Sequence, residues 1–387
     1  MPVPTASTAP LNISERRLVG VHAERVTNVS SNDFHGHYPG EDNSWDLSAF
    51  KRSLQLNVTR LSQRSVDLDL IGVDASIANA IRRTLIAEVP TIAIESVYVW
   101  NNTSVIHDEV LAHRLGLVPL NLDPGLFEMR EEGKDATDRS TLVFKLEVEC
   151  KRKAGAPAES ANPDDLYENH LVTAGMLRWE PQGEQADVPQ LKPPGPTNPN
   201  IVLAKLRPGQ VIDMECHAIK NVGKEHAKWS PVATASYRIH PHITILKQPP
   251  SGSARKFADC FSPGVIKVIG EGTASEAVEV DEKRVREESM SREVFRHSEF
   301  EGCVKLGRVR DWFLFNIESE GPYAPRDLFP AAIRVLRARV STLKRAAEAL
   351  ASGEEQDATI DGSTNLDYHH EERDQDGTNE DVVMMDS

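Results

Sequence analysis

At 387 residues with 39% hydrophobic side chains, the chain is long enough to bury a sizeable core and to hold two or three structural units. No apolar run approaches the ~20 residues needed to span a bilayer, and residues 1–12 lack the positively flanked apolar core of a signal peptide. The formal net charge of −15 is unevenly placed: twelve carboxylates and one arginine fall within 351–387, so −11 belongs to the tail. The body is close to neutral, which argues against the basic footprint of a nucleic-acid-binding surface.

Residues 1–50 are polar and read as an N-terminal arm, with Leu18, Val19, Val21 and Val26 as points where it docks on other parts of the molecule. Leu54, Leu56 and Val58 alternate with polar residues, and Val66, Leu68 and Leu70 do so again after a short turn, which predicts a hairpin. A helix over 74–89 follows, with Asp74 as N-cap and Pro90 as its stop. Ile77, Ile81, Thr84, Leu85 and Glu88 share one face, and Arg82 and Arg83 point away from it. The β-branched run 91–100 predicts a strand, and 108–115 a short helix with Gly116 as its C′ residue. Further strands are expected at 142–148, 171–179, 201–206, 211–221 and 236–246, the last interrupted by Pro241. Six prolines in 181–199 make that stretch an extended loop.

Residues 247–300 are mixed, with a charged helical stretch at 281–288, and 312–318 predicts another strand. A helix over 327–350 carries Phe329, Ile333, Leu336, Val340, Leu343, Ala347 and Leu350 at alternating spacings of four and three, a heptad seam that needs a docking surface. Such a seam serves an internal core or a partner equally well. The acidic tail beyond it is too poor in apolar residues to fold by itself.

Motifs for chemistry are sparse. Gly270 and Gly272 lack the third glycine of a dinucleotide loop, and no nucleophile elbow is present. Cys150, Cys216, Cys260 and Cys303 form no CxxC pair, so they read as buried thiols and not as metal ligands. His107 with His113, and His240 with His242, have a spacing that can bind a metal, yet neither pair has a third ligand at recognisable spacing. A stand-alone histidine-based metalloenzyme is therefore a distant alternative.

Three separated stretches carry a family resemblance. The run Asn79-Ala80-Ile81-Arg82-Arg83-Thr84-Leu85 continues through Glu88-Val89-Pro90 to Ile94-Glu95. It is followed by Asn101-Asn102-Thr103-Ser104 with Asp108-Glu109-Val110-Leu111-Ala112-His113-Arg114-Leu115-Gly116, and later by Gly223-Lys224-Glu225-His226-Ala227-Lys228-Trp229-Ser230-Pro231-Val232. Together they resemble the alpha-like subunits of DNA-directed RNA polymerases, most of all the branch shared by the eukaryotic polymerases I and III. The polymerase II branch carries a zinc-binding cysteine cluster that this chain lacks. Around Cys260 the chain is similar to a ferredoxin-type segment of archaeal relatives reduced to one cysteine, so no cofactor or metal is expected.

The resemblance implies an α+β fold: an alpha-like dimerisation domain, a small sheet with helices, interrupted by an inserted mostly-β domain. Its parts fall at 1–50 (arm), 51–90 (dimerisation domain, first part), 91–246 (insertion), 247–300 (degenerate ferredoxin-like segment), 301–352 (dimerisation domain, second part) and 353–387 (acidic tail). It further implies a non-catalytic core subunit that pairs with a small alpha-like subunit. That pair is the assembly platform for the two largest polymerase subunits, alongside the other polymerase I and III subunits, in rRNA, tRNA and 5S RNA synthesis. The location is the nucleus, including the nucleolus, with no membrane partner and little direct nucleic-acid contact. The dimerisation seam would comprise Ile77, Ile81 and Leu85 with the seven residues Phe329, Ile333, Leu336, Val340, Leu343, Ala347 and Leu350. Asn79, Arg82, Arg83 and Arg114 would face the large subunits, arginine's planar fork suiting carboxylates and carbonyls. An alpha-like subunit of polymerase II or of an archaeal enzyme is the alternative within the family.

Overall fold

The computed structural model describes residues 17–29, 45–130, 133–155, 162–270, 272 and 276–352. The acidic tail and the remainder of the N-terminal arm lie outside the described residues. The arm enters the fold as β1 (Leu18–Val21) and β2 (Val26–Thr27). α1 (Leu47–Ser53) is capped by Asp46, whose carboxylate accepts from the Ser48 N–H. The hairpin is β3 (Gln55–Leu61) and β4 (Ser65–Ile71), its turn tied by Ser62 to Ser65. α2 (Ala75–Ala87) begins as its sequence requires, the Asp74 carboxylate accepting from the Ser76 N–H at 2.8 Å.

β5 (Thr91–Asn102), α3 (Asp108–Gly116), β6 (Thr141–Glu149), β7 (Lys151–Arg152) and α4 (Pro163–Leu166) come next. They are followed by β8 (Tyr167–Glu168), β9 (Leu171–Thr173), β10 (Arg178–Glu180), β11 (Val202–Lys205) and β12 (Val211–Asn221). β13 (Val232–Ile245), α5 (Ala254–Asp259), β14 (Ile266–Ile269), β15 (Ala277–Val280), β16 (Val304–Ser319) and α6 (Pro325–Ser352) complete the described chain. This mixture of helices packed on antiparallel sheets is an α+β fold.

β16 organises the first sheet, whose order is β2-β1-β16-β4-β3, with β13 along the other edge of β16. The first half of β16 pairs with β1 and the second half with β4, so one strand joins the arm to the hairpin. A second sheet runs β10-β6-β12-β5. Three apolar cores follow from these layers. The first is α2 and α6 on the sheet, uniting Leu68, Ile81, Leu85, Phe313, Phe315 and Leu328. The second lies between β5, β6, β12 and α3, around Phe144, Leu111 and Cys216. The third gathers Phe257, Val265, Val278, Phe300 and Leu306 with Val21 from the arm.

Several expectations are corrected. The sequence places 236–246 in the insertion ending at 246, but β13 pairs along β16 in the first sheet, so the second sheet ends with β12. Pro241 does not break β13; it sits at a register shift, where a missing N–H is tolerated. The strand expected at 171–179 is two short strands in different sheets, β9 and β10, parted by a turn at Ala174–Met176. The charged stretch 281–288 holds one helical turn, Val285–Glu287. Gly116 is the last residue of α3, not the residue beyond it, and Leu117 is the cap. The proline-rich loop is pinned by the Thr197 N–H to the Pro119 carbonyl and the Asn121 N–H to the Gly195 carbonyl. Leu18, Val19 and Val21 dock by joining the sheet through β1, whereas Val26 stays exposed.

Candidate partner interface

The three family motifs meet at one junction. Gly223 lies against the end of α2, where a Cβ would sit 2.3 Å from the Ile86 carbonyl oxygen, so only glycine fits. The next residue's N–H, of Lys224, donates to the Ala87 carbonyl at 2.8 Å and satisfies one of the helix's orphan acceptors. The Trp229 carbonyl accepts from the Thr91 hydroxyl, and its indole N–H donates to the Ile219 carbonyl. The Lys228 ammonium lies 4.4 Å from the Trp229 ring centroid and pairs with the Glu95 carboxylate. It also lies beside Gly116 of α3. The 223–232 motif thus clamps the end of α2, the start of β5 and α3 to one another.

Away from that junction, α6 divides in two. Its first half is core: Leu328, Phe329, Ala331, Ala332 and Val335 are buried on the sheet. Leu336 is half-buried, and the rest of the seam is open, Ile333 at 42%, Val340 at 65%, Leu343 at 70% and Leu350 at 83%, with Ala347 exposed too. A second apolar stripe lies on β3. Leu56, Val58 and Leu61 pair with Leu70, Leu68 and Val66. Directly opposed residues share a face, so these three point to the core side of the sheet. They are nevertheless exposed, because α2 and α6 cover β4 and β16 and not β3.

The residues expected in the seam on α2 separate. Ile77 is exposed, but Ile81 and Leu85 are 2% and 0% exposed inside the chain's own core, so neither reaches an outer seam. Periodicity marked the apolar face correctly but not which surface covers it. The Arg82 Nε and Nη2 both donate to the Asn79 Oδ1, at 3.2 and 2.9 Å, which fixes the guanidinium's direction one turn along the helix. Arg83 is exposed. Arg114 is engaged within the chain, its Nε and Nη2 donating to the Leu203 and Val202 carbonyls at 3.0 and 2.6 Å, which ties α3 to β11. Arg339 bridges α6 to Glu88 at the end of α2, a pair that no local spacing reveals.

The described histidines and cysteines stand apart from one another. Among the described residues, no group of three or more histidine, cysteine or carboxylate side chains could hold a metal. His113 faces His226 at 6.3 Å between ring centroids, His240 is stacked on Trp312 at 4.0 Å, and His242 is hydrogen-bonded to Thr244. His107 stands at the start of α3 without a capping bond. Burial pushes the Cys216 thiol up to about 12 and also raises Cys150 and Cys260, so these thiols are core filler. A cleft of about 500 Å³ beside Arg64, Asn121, Thr197, Glu320 and Tyr323 has no histidine, cysteine or lysine in its lining. Among the described residues no helix is long and apolar enough to cross a membrane.

A sheet backed by two helices, interrupted by a second sheet, and an apolar helix face left uncovered define an assembly subunit. The chain belongs to the family of the RNA polymerase Rpb3/Rpb11 dimerisation domain, which matches residues 67–340. It is 46% identical over 331 residues to the RPAC1 subunit of DNA-directed RNA polymerases I and III of Saccharomyces cerevisiae, covering 84% of this chain and 97% of that one. Against the RPAC1 subunit of Homo sapiens it is 45% identical over 315 residues, covering 80% and 89%. The rpb3 subunit of DNA-directed RNA polymerase II of Dictyostelium discoideum is 29% identical over 312 residues, covering 78% and 97%.

Proposed function

We propose that this chain is a non-catalytic core subunit common to RNA polymerases I and III. It acts in the nucleus, including the nucleolus, in rRNA, tRNA and 5S RNA synthesis. It pairs with a small alpha-like subunit, and the pair is the platform on which the two largest subunits and the other polymerase I and III subunits assemble. The carrying observation is the uncovered apolar surface: Ile333, Val340, Leu343 and Leu350 on α6, with Leu56, Val58 and Leu61 on β3. Exposed apolar stripes of this kind mark a protein interface, and burying such side chains is worth ~1.5–3 kcal/mol each. Ile81 and Leu85 back that layer from inside. Arg82, held by Asn79, and the exposed Arg83 are the side chains offered to the large subunits, while Arg114 braces the insertion. The much higher identity to the polymerase I and III relatives favours that branch over polymerase II.

Co-expression with a small alpha-like subunit tests the reading. A one-to-one complex that survives gel filtration is expected, and it should capture the largest subunits in extracts. A monomeric chain that ignores the small subunit would sink the proposal.

A further inference from the structure

The α6 seam is bordered by charge of one sign. With the apolar residues at the a and d positions of the heptad, Arg337 and Lys344 line one side, and Arg339, already paired with Glu88, the other. Arg334, on the same helix, adds to that basic field. Among the described residues, Arg334 and Arg337 have no carboxylate partner, and the Lys344 pair with Glu348 is long, at 3.7 Å, and exposed on both sides. A second copy of this chain is a poor occupant, because its own arginines would face these across the seam.

The chain carries a segment of opposite pattern. Glu380-Asp381-Val382-Val383-Met384-Met385-Asp386 places four consecutive apolar residues between carboxylates, and the stretch before it holds most of the tail's remaining acidic residues. Twenty-nine residues separate Ser352 from Val382, a span of up to ~95 Å at ~3.3 Å per residue. Val340 is twelve residues from the end of α6, or ~18 Å along the helix axis. Every point of the seam is within reach, and the covalent link gives the segment a millimolar-scale effective concentration there.

We infer that, in the chain without its partner, the acidic C-terminal segment 371–386 lies on the α6 seam as an intramolecular placeholder. It covers the apolar stripe and neutralises its arginine and lysine borders until the small subunit displaces it. This inference rests on the dimer reading of that seam and adds its regulation.

Zero-length carbodiimide coupling of the isolated full-length chain at low salt tests the contact without any partner. Lys344, the one lysine of α6, should couple to carboxylates of 371–386 in preference to Lys205 or Lys267, and uniform coupling across these lysines would overturn the inference. The second measurement is the association rate with the small alpha-like subunit. Replacing Val382, Val383, Met384 and Met385 together by Ser should speed association by about fivefold at low salt, the scale of a few exposed contacts. High salt should shrink the difference. Equal rates for the two forms at low salt refute the placeholder and leave the dimer reading standing. Lys344 coupling without any binding of the small subunit would do the reverse.

Discussion

Replacing Val340 and Leu343 together by Ala separates folding from assembly in a single variant. In the isolated chain these side chains are 65% and 70% exposed, so their truncation should change the chain's own stability by no more than ~0.5 kcal/mol. Ala is also the better helix former. In the complex, the two substitutions remove about five methyl or methylene equivalents, each worth ~0.8 kcal/mol when buried. Scaled by the fraction a partner is able to cover, the loss is about 3 kcal/mol, or roughly a hundredfold in Kd. Titration calorimetry against the small alpha-like subunit measures the loss, and thermal melting of the isolated variant supplies the control. Leu85→Ala is the reciprocal case. At 0% exposure in the chain's own core, it should cost ~2–5 kcal/mol of folding stability. If the double variant melted like Leu85→Ala, or bound the small subunit as tightly as the unaltered chain, the division of α6 into a core half and an interface half would be wrong.

Two further outcomes are expected. His240 is stacked on Trp312 and 9% exposed, and burial pushes its pKa down from 6.5 to about 4. The unfolded chain therefore takes up this proton first: the contribution is fully present above pH 6.5 and falls away as the pH drops toward 4. It amounts to about 3 kcal/mol over that window, so His240→Phe should flatten the acid limb of a urea-denaturation profile, and an unchanged limb would count against the stacking. Gly223→Ala places a Cβ 2.3 Å from the Ile86 carbonyl oxygen, which should destabilise the isolated chain by ~1–3 kcal/mol in chemical denaturation. Gly195→Ala, with nothing within 4 Å of the added carbon and no left-handed backbone, is the comparison, and equal effects would refute the close approach.

How much the sequence reveals differs from element to element. α2 and the end of β5's approach were legible because Asp74, Pro90 and the β-branched run are local signals that tertiary contacts do not override here. The apolar faces of α2 and α6 were legible too, but their covering was not. Leu85 and Leu343 sit in equivalent patterns, and a period of three and four residues cannot say whether the facing surface belongs to the same chain. β13 reads as a strand from its alternation, yet alternation is blind to the sheet it joins, and only the fold sets it along β16 and outside the insertion. Gly223 has no local signature at all: its need for glycine comes from Ile86, far away in sequence. Arg114's bonds to the Val202 and Leu203 carbonyls have no local signature either, because only the fold brings that strand close.

The length of β16 has a consequence for how the chain is made. β4 finishes at Ile71, but the strand that must lie beside it begins at Val304, more than two hundred residues later. At a synthesis rate of ~5–20 residues per second, the hairpin waits roughly 10–50 s with Val66, Leu68 and Leu70 lacking the β16 side of their sheet. The second sheet, made wholly of neighbouring strands between Thr91 and Asn221, meets its partners during that delay. Folding is then expected to proceed from the middle outward, with the first sheet closing only once β16 has been made and chaperones shielding the waiting strand.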